Sequence, residues 1–137
     1  MIRLLLFVLI ASPLAAETVV AARTIPANVI IGPDDLLLRD LVVPGGVDDP
    51  AMIVGMEARV ALYAGRPIRP ADVGLPAVVD RNALIPLIYQ RGGVSISTDG
   101  RALDRAGPGD LIRVMNLASR VTVTARIGID GAAYVSQ

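Results

Sequence analysis

The feature that most constrains the fold of this sequence is the regular interruption of short apolar runs by the turn-forming residues Gly, Pro, Asp and Asn. From Glu17 onward, no amphipathic helical pattern is longer than about two turns, whereas apolar and polar residues alternate repeatedly. Alternation is typical of strands with one buried face, and the intervening residue types favour tight turns. The sequence therefore predicts a mostly β fold.

Runs rich in apolar and β-branched residues are predicted as strands at 18–23, 36–43, 56–62, 83–89, 94–97, 111–115, 121–127 and 132–135. Short helical turns are expected at 34–36, 50–54 and 70–73, each beside a Pro. The middle turn has the most complete signal, because Asp49 can cap its start and Gly55 can end it.

The first 16 residues have the order of a secretory signal peptide. Arg3 precedes the apolar run 4–11, and small residues lead to a predicted cleavage after Ala16. The run is too short to span a membrane, which takes about 20 apolar residues. We therefore expect residues 1–16 to direct export to the periplasm. No Cys is present, so neither a lipid anchor nor disulfides are expected.

A shift of 37 positions superimposes the first part of the exported chain on itself. The matching residues are Ile25, Ala27, Ile31, Pro33, Asp35 and Leu36 with Leu62, Ala64, Ile68, Pro70, Asp72 and Val73. The same shift places Asn28 on Gly65, and these two residue types adopt positive φ most readily. The repeat predicts two interlocked copies related by a pseudo-twofold axis.

Residues 75–77 separate this repeat from a second half with clearer strand patterns. We therefore predict one lobe at 17–75 and another at 76–137, or a single domain of the two. Pro86 indicates an edge position or a bulge in its strand. Gly92-Gly93 and Asp99-Gly100 are predicted turns, the second a hairpin turn. The residues predicted to build turns are Asn28, Gly65, Gly100, Gly107, Gly109 and Asp110.

The composition excludes much catalytic and metal chemistry. With no His and no Cys, the Ser-His and Cys-His nucleophiles and the usual zinc and copper ligand sets are impossible. The Asp residues lie in turn contexts, where Asp is common for structural reasons. Without Arg3, the remaining 12 Arg face 13 acidic residues, with no basic run. We expect no enzyme activity, no cofactor, no metal and no nucleic-acid partner.

The repeat resembles the core of the SAF domain, a β-clip module. The repeat alone does not distinguish among proteins with this module, but the second half does. It contains three characteristic segments, at 100–103, 107–116 and 119–120, followed by a hairpin that contains Gly131. Together they look like the C-terminal signature of the flagellar P-ring formation chaperone family, the FlgA family. The resemblance covers 19–135, and Asn28 stands where that family usually has Gly. Longer members carry an additional N-terminal domain, which we do not expect here.

The resemblance implies a SAF-type β-clip lobe followed by a small antiparallel β lobe. It also implies a periplasmic chaperone that helps P-ring subunits assemble around the flagellar rod, through a groove or an edge strand. The matching family positions give Arg113, Asn116, Ser119 and Arg120 as candidate partner contacts. These four residues can equally satisfy strand ends and turns. The alternatives are a SAF-domain pilus-assembly protein and an exported carbohydrate-binding module.

Overall fold

The computed structural model describes residues 17–135, and the predicted signal at 1–16 lies outside the described residues. Its strands are β1 (Glu17–Ala21), β2 (Leu36–Asp40), β3 (Glu57–Ala58), β4 (Val73–Gly74), β5 (Leu84–Arg91), β6 (Val94–Ala102), β7 (Leu111–Asn116), β8 (Thr122–Ile127) and β9 (Ala133–Val135). Short 3-10 turns lie at Pro33–Asp35, Pro50–Met52 and Pro70–Asp72. The predicted mostly β fold is confirmed. Each 3-10 turn overlaps a predicted helical turn, but the first lies at 33–35 rather than 34–36, and the other two end earlier than expected. No helix among these residues is long and apolar enough to cross a bilayer.

The first half of the described chain has the pseudo-twofold symmetry that the repeat predicts. Ile25 and Leu62 occupy equivalent positions, and each donates its amide to the carbonyl of the other at 2.8 Å. β1 pairs with β2, and β3 pairs with β4 in the equivalent antiparallel register. A residue that pairs with its own repeat partner lies on the symmetry axis, so the two repeats interlock rather than stand side by side.

The two predicted positive-φ positions are also equivalent in the structure. Asn28 has φ 66° and Gly65 has φ 77°. The amide of Gly65 donates to the carbonyl of Ala21 at 2.7 Å, within the other repeat. Asn28 donates to Ala58 at the same 2.7 Å distance. Each left-handed residue therefore reverses the chain so that its repeat crosses into the partner repeat.

The apolar residues separate into two cores. The first contains Val19, Ala21, Ile25, Ile31, Leu36, Val47, Ile53, Ala58, Leu62, Ile68 and Val73. The second contains Val79, Ile85, Leu87, Ala102, Ala106, Ile112, Val114, Ala125, Ile127 and Ala133. Ala, Val, Leu and Ile fill both cores, as expected for a chain without Trp and with Phe7 as its single Phe.

The second core lies inside a closed barrel with the strand order β5-β6-β7-β8-β9. Neighbouring strands are antiparallel, except that β9 runs parallel to β5 and closes the barrel. The register between β5 and β9 covers Leu87 and Ile88, so Pro86 lies beside the paired positions. A missing amide is tolerated at such a position.

The predicted hairpin turn at Asp99-Gly100 is wrong. Both residues lie inside β6, and the chain reverses at Gly92 and Gly93, with φ of 56° and 79°. Gly100 serves close packing instead, because a Cβ there would lie 2.7 Å from Cγ1 of Val114. The Asp-Gly pair was misleading because Gly is required both in turns and where strands approach closely.

The predicted strand at 56–62 is shorter than expected, since ladder pairing is limited to Glu57–Ala58. The following residues bond to different segments in turn, including Arg59 to Asp72 and Leu62 to Ile25. At 56–62, apolar and polar residues therefore alternate because the segment passes between interlocked loops, not because it forms one long strand. In the segment 107–110, Gly109 has φ 86°, and the Asp110 side chain accepts a hydrogen bond from the amide of Gly107 at 2.8 Å.

Candidate functional site: the barrel groove and the lobe junction

A groove of about 410 Å³ opens at one end of the barrel. It exists because β6 pairs with the whole of β5, whereas the register of β6 with β7 covers only Gly100 to Ala102. The β5–β6 hairpin therefore projects beyond the closed part of the barrel. The groove is lined by Leu87, Tyr89, Ile96, Thr98, Asn116, Ser119, Val121, Val123 and Val135.

The groove exposes apolar side chains of the barrel strands and of the turn between β7 and β8. Ile96 is 55% exposed and Val121 is 57% exposed, and both line the groove. Val94, 59% exposed, extends the same face of β6 to the hairpin tip. Contiguous exposed apolar residues with a polar rim are typical of surfaces that bind another protein. Along the described chain, this groove is the strongest candidate for a protein-binding site.

The turn between β7 and β8 forms one wall of the groove and contains three of the four predicted contact residues. The Asn116 side-chain oxygen accepts the amides of Ala118 at 2.8 Å and Ser119 at 3.2 Å. Arg120 adopts φ 61° and donates its amide to the Asn116 carbonyl at 2.9 Å. Asn116 thus holds the turn, while Ser119 and Arg120 are exposed at the rim.

The fourth predicted contact residue, Arg113, lies apart from the groove. Its side chain is on the outer face of β7, where its Nε is 3.5 Å from Oδ2 of Asp104. Both side chains are well exposed, so water screens the pair and it contributes little to stability. Contact of these four residues with a partner stays a prediction.

Two arginines lie close in sequence to residues that line the groove: Arg91 is two positions after Tyr89, and Arg120 lies between Ser119 and Val121. Arg91 ends β5 on the same face as Leu87 and Tyr89, because side chains alternate along a strand. The ion pairs found among residues 17–135 involve neither Arg91 nor Arg120, and both residues are exposed. These guanidinium groups are therefore available to an acidic partner.

A buried carboxylate joins the two lobes. The Glu57 side chain is 5% exposed and accepts hydrogen bonds from Arg105 Nη2 at 2.9 Å and Nε at 3.1 Å. The Ala77 amide donates to the same carboxylate at 3.0 Å. Arg105 also pairs with exposed Asp80. Hydrogen bonding by Arg105 lowers the pKa of Glu57, although burial opposes it. The carboxylate is fully satisfied, so its role is structural.

A second ion pair crosses the same junction. Nη1 of Arg59 lies 2.7 Å from Oδ2 of Asp110. Burial acts to raise the pKa of Asp110, but the hydrogen bonds from Arg59 and the Gly107 amide outweigh it, and the net pKa is lowered. Gly107 fits closely here, since a Cβ would lie 2.6 Å from the Leu75 carbonyl oxygen. The linker after the first lobe is thus held against the barrel.

The local sequence patterns did not predict this junction, although the repeat contains a signal for it. Glu57 and Arg59 occupy the positions that Val20 and Ala22 occupy in the first repeat. Charged residues at positions that are apolar in the equivalent repeat mark a site where the symmetry is broken. That site is where the second lobe docks.

The first lobe has a second concavity, of about 430 Å³, around Tyr63, Arg66 and Asp72. The Arg66 guanidinium lies 5.8 Å from the Tyr63 ring centroid, over its face. Within residues 17–135, no three His, Cys, Asp or Glu side chains are placed to share a metal ion. The arrangement of charges and grooves is suited to binding a protein surface.

Comparison with known proteins gives a family match over residues 16–135, to a family described as a chaperone for flagella basal body P-ring formation. A distal basal body ring component protein of Caulobacter vibrioides is 32% identical over 121 residues, which are 87% of this chain and 45% of the relative. The flagellar protein FlgA of Agrobacterium fabrum is 27% identical over 125 residues, covering 88% of this chain and 77% of the relative. The chain therefore spans less than half of the Caulobacter relative.

Solved structures share the fold at low identity. The open form of Salmonella FlgA superimposes with a TM-score of 0.68 at 21% identity, covering 88% of this chain and 60% of that chain. FlgA from Thermotoga maritima gives a TM-score of 0.53 at 22% identity, covering 88% of this chain and 45% of that chain. A small β lobe followed by a barrel is therefore an arrangement that crystal structures also contain.

Proposed function

Since the chain belongs to the family of chaperones for flagella basal body P-ring formation, we propose that it assists P-ring assembly by binding P-ring subunits, without catalysing a reaction. The observation that supports this proposal is the open groove of the barrel, with Ile96 and Val121 more than half exposed. Family membership confirms the predicted resemblance and argues against the pilus-assembly and carbohydrate-binding alternatives.

Mass action explains how binding alone can help a ring to assemble. A chaperone that binds the assembly-competent form of a subunit raises the population of that form by its differential affinity. Unassembled subunits also expose the surfaces through which they contact their neighbours, and such surfaces aggregate when they are left uncovered. A binding protein with an open apolar groove covers them until the ring forms.

The proposed site of action is the periplasm, after removal of residues 1–16. The order of charge, apolar run and small residues in that segment supports export. We further propose that residues 17–75 and 76–137 are separate structural lobes of one chaperone unit. The two apolar cores support this division, and the Glu57–Arg105 pair supports their acting together.

The genetic test is deletion of the gene. We expect poorly motile cells with few P-rings, because fewer subunits reach the assembly-competent form. Overproduction of the P-ring subunit should partly restore motility, since more subunit replaces the help of the chaperone. Unaffected motility and ring number after the deletion would contradict the proposal.

The binding test uses the purified exported chain titrated with P-ring subunit by calorimetry. Ile96→Ser and Val121→Ser remove apolar surface from the groove and should weaken binding. Ile129→Ser is the matched control, because Ile129 is 89% exposed but does not line the groove. Equal weakening by all three variants would show that the groove is not the contact surface.

A further inference from the structure

The outer edge of β6 is an open hydrogen-bonding surface. The Leu117 amide donates to the Asp99 carbonyl at 2.9 Å, so Asp99 directs its backbone groups toward β7. On the opposite edge, the Ala102 amide donates to the Ala83 carbonyl at 2.9 Å, which places Ala102 on the β5 side. Alternate residues of an antiparallel strand bond to opposite sides. Ser97 and Ser95 therefore direct their backbone groups to the β7 side, as Asp99 does.

No strand of the described chain lies beside Ser95 and Ser97, since the register with β7 covers only Gly100 to Ala102. Their N–H and C=O groups form a row that a further strand can pair with. Proteins usually protect such edges with Lys, Pro, a bulge or an inward charge. Residues 94–98 are Val-Ser-Ile-Ser-Thr, with neither a charge nor a Pro. The edge is therefore suited to strand addition.

The groove lies next to this edge and specifies what can bind there. Ile96 and Thr98 direct their side chains into the groove, which Tyr89, the neighbour of Ile96 on β5, and Val121 also line. A strand added to β6 would direct every second side chain into the same space. Apolar residues at alternate positions fit that surface. Arg91 and Arg120, both without an ion pair among residues 17–135, favour an acidic residue beside the apolar positions.

We propose that the barrel binds its partner by β-strand addition: an extended segment of the P-ring subunit pairs with the free edge of β6 at Ser95 and Ser97. The segment has apolar residues at alternate positions, which fill the groove, and an acidic residue that meets Arg91 or Arg120. Main-chain bonds supply affinity and the alternate side chains supply selectivity. This inference rests on the proposed function and names the binding mode and the kind of segment that is recognised.

The first test removes one edge donor. Ser97→Pro deletes an amide that the β5 ladder does not use, so the barrel should keep its own hydrogen bonds. With purified P-ring subunit as the probe, we expect affinity to fall about tenfold, the value of one lost backbone bond. Ser97→Ala is the matched control, because it changes the side chain and keeps the amide, and its affinity should stay within about twofold.

The second test needs no substitution and covers the case in which Ser97→Pro fails to fold. Backbone hydrogen exchange of the full exported chain is compared with and without the subunit. The Ser95 and Ser97 amides should become protected on binding. If the wild-type chain binds but these amides stay unprotected, or if folded Ser97→Pro binds as tightly as Ser97→Ala, strand addition is wrong and the chaperone function stands. If the wild-type chain does not bind the subunit, both proposals fail.

Discussion

Replacing Arg105 with Ala should destabilise the protein far more than the exposure of Arg105 alone suggests. Its side chain is 36% exposed, whereas the Glu57 carboxylate that it contacts is only 5% exposed. Without the guanidinium group, Glu57 keeps a single described donor, the Ala77 amide at 3.0 Å. A buried anion then remains at the junction of the lobes, with only the weaker electrostatic attraction of Arg59 to offset its charge.

The expected loss of stability in Arg105→Ala is set by the burial of Glu57, not by the exposure of Arg105. Removing one partner of a buried pair costs about 3 to 5 kcal/mol, and partial access of water at this site reduces the expected loss to about 2 to 3 kcal/mol. The control is Asp80→Ala, which removes the other carboxylate paired with Arg105. The Asp80 side chain is 76% exposed, so its loss should cost less than about 0.5 kcal/mol.

The loss of stability in Arg105→Ala should depend on pH, because the ion pair requires the charged form of Glu57. Hydrogen bonding by Arg105 lowers the pKa of Glu57 below its ordinary value of 4.5. The stability contributed by this pair is therefore present above pH 4.5 and is lost as the pH falls through the lowered pKa. In Arg105→Ala, burial acts without that hydrogen bond and should raise the pKa of Glu57. The difference in unfolding free energy between wild type and variant should be largest at pH 7 and should narrow toward pH 3.

Urea denaturation of the exported chain, followed by circular dichroism at several pH values, measures these differences. The double variant Glu57→Gln, Arg105→Ala should be more stable at pH 7 than Arg105→Ala, because the buried charge is gone. The reasoning is refuted if Arg105→Ala costs no more than Asp80→Ala, or if the added Glu57→Gln restores nothing.

Three further changes test the fold. Gly65→Val should lower the free energy of unfolding by about 1 to 3 kcal/mol, because a β-branched residue is strained at φ 77°. The matched control is Gly32→Val, because Gly32 has φ −92°. Equal losses in the two variants would show that the positive φ of Gly65 is not the cause. Gly107→Ala should lower the melting temperature, because its Cβ would lie 2.6 Å from a linker carbonyl oxygen, and an unchanged midpoint would show that the linker moves freely. Val114→Asp should unfold the barrel by burying an unpaired charge, whereas Ile129→Asp, at an 89% exposed site, should melt like wild type; circular dichroism distinguishes these results.

Local patterns predicted the fold class and the paired turns because their causes are local. Alternation follows from the direction of side chains along a strand, and positive φ depends on the residue that adopts it. The 37-position repeat therefore predicted that Asn28 and Gly65 would reverse the chain in equivalent ways, as they do at φ 66° and 77°. The same reasoning failed at Gly100, where the need for Gly comes from Val114, a neighbour distant in sequence.

The candidate site depends on tertiary structure because its causes are distances between distant segments. The sequence around Ser95 and Ser97 does not indicate that their edge of β6 is unpaired. The edge is unpaired because β7 ends before it reaches them and the chain turns into β8. Glu57 and Arg105 are 48 positions apart, so only the docking of the lobes brings their charges together. The sequence by itself determined which residues form strands and turns. Tertiary structure decided which edge stays open and which charges are buried, because hydrogen bonding and desolvation depend on what lies beside a group in space.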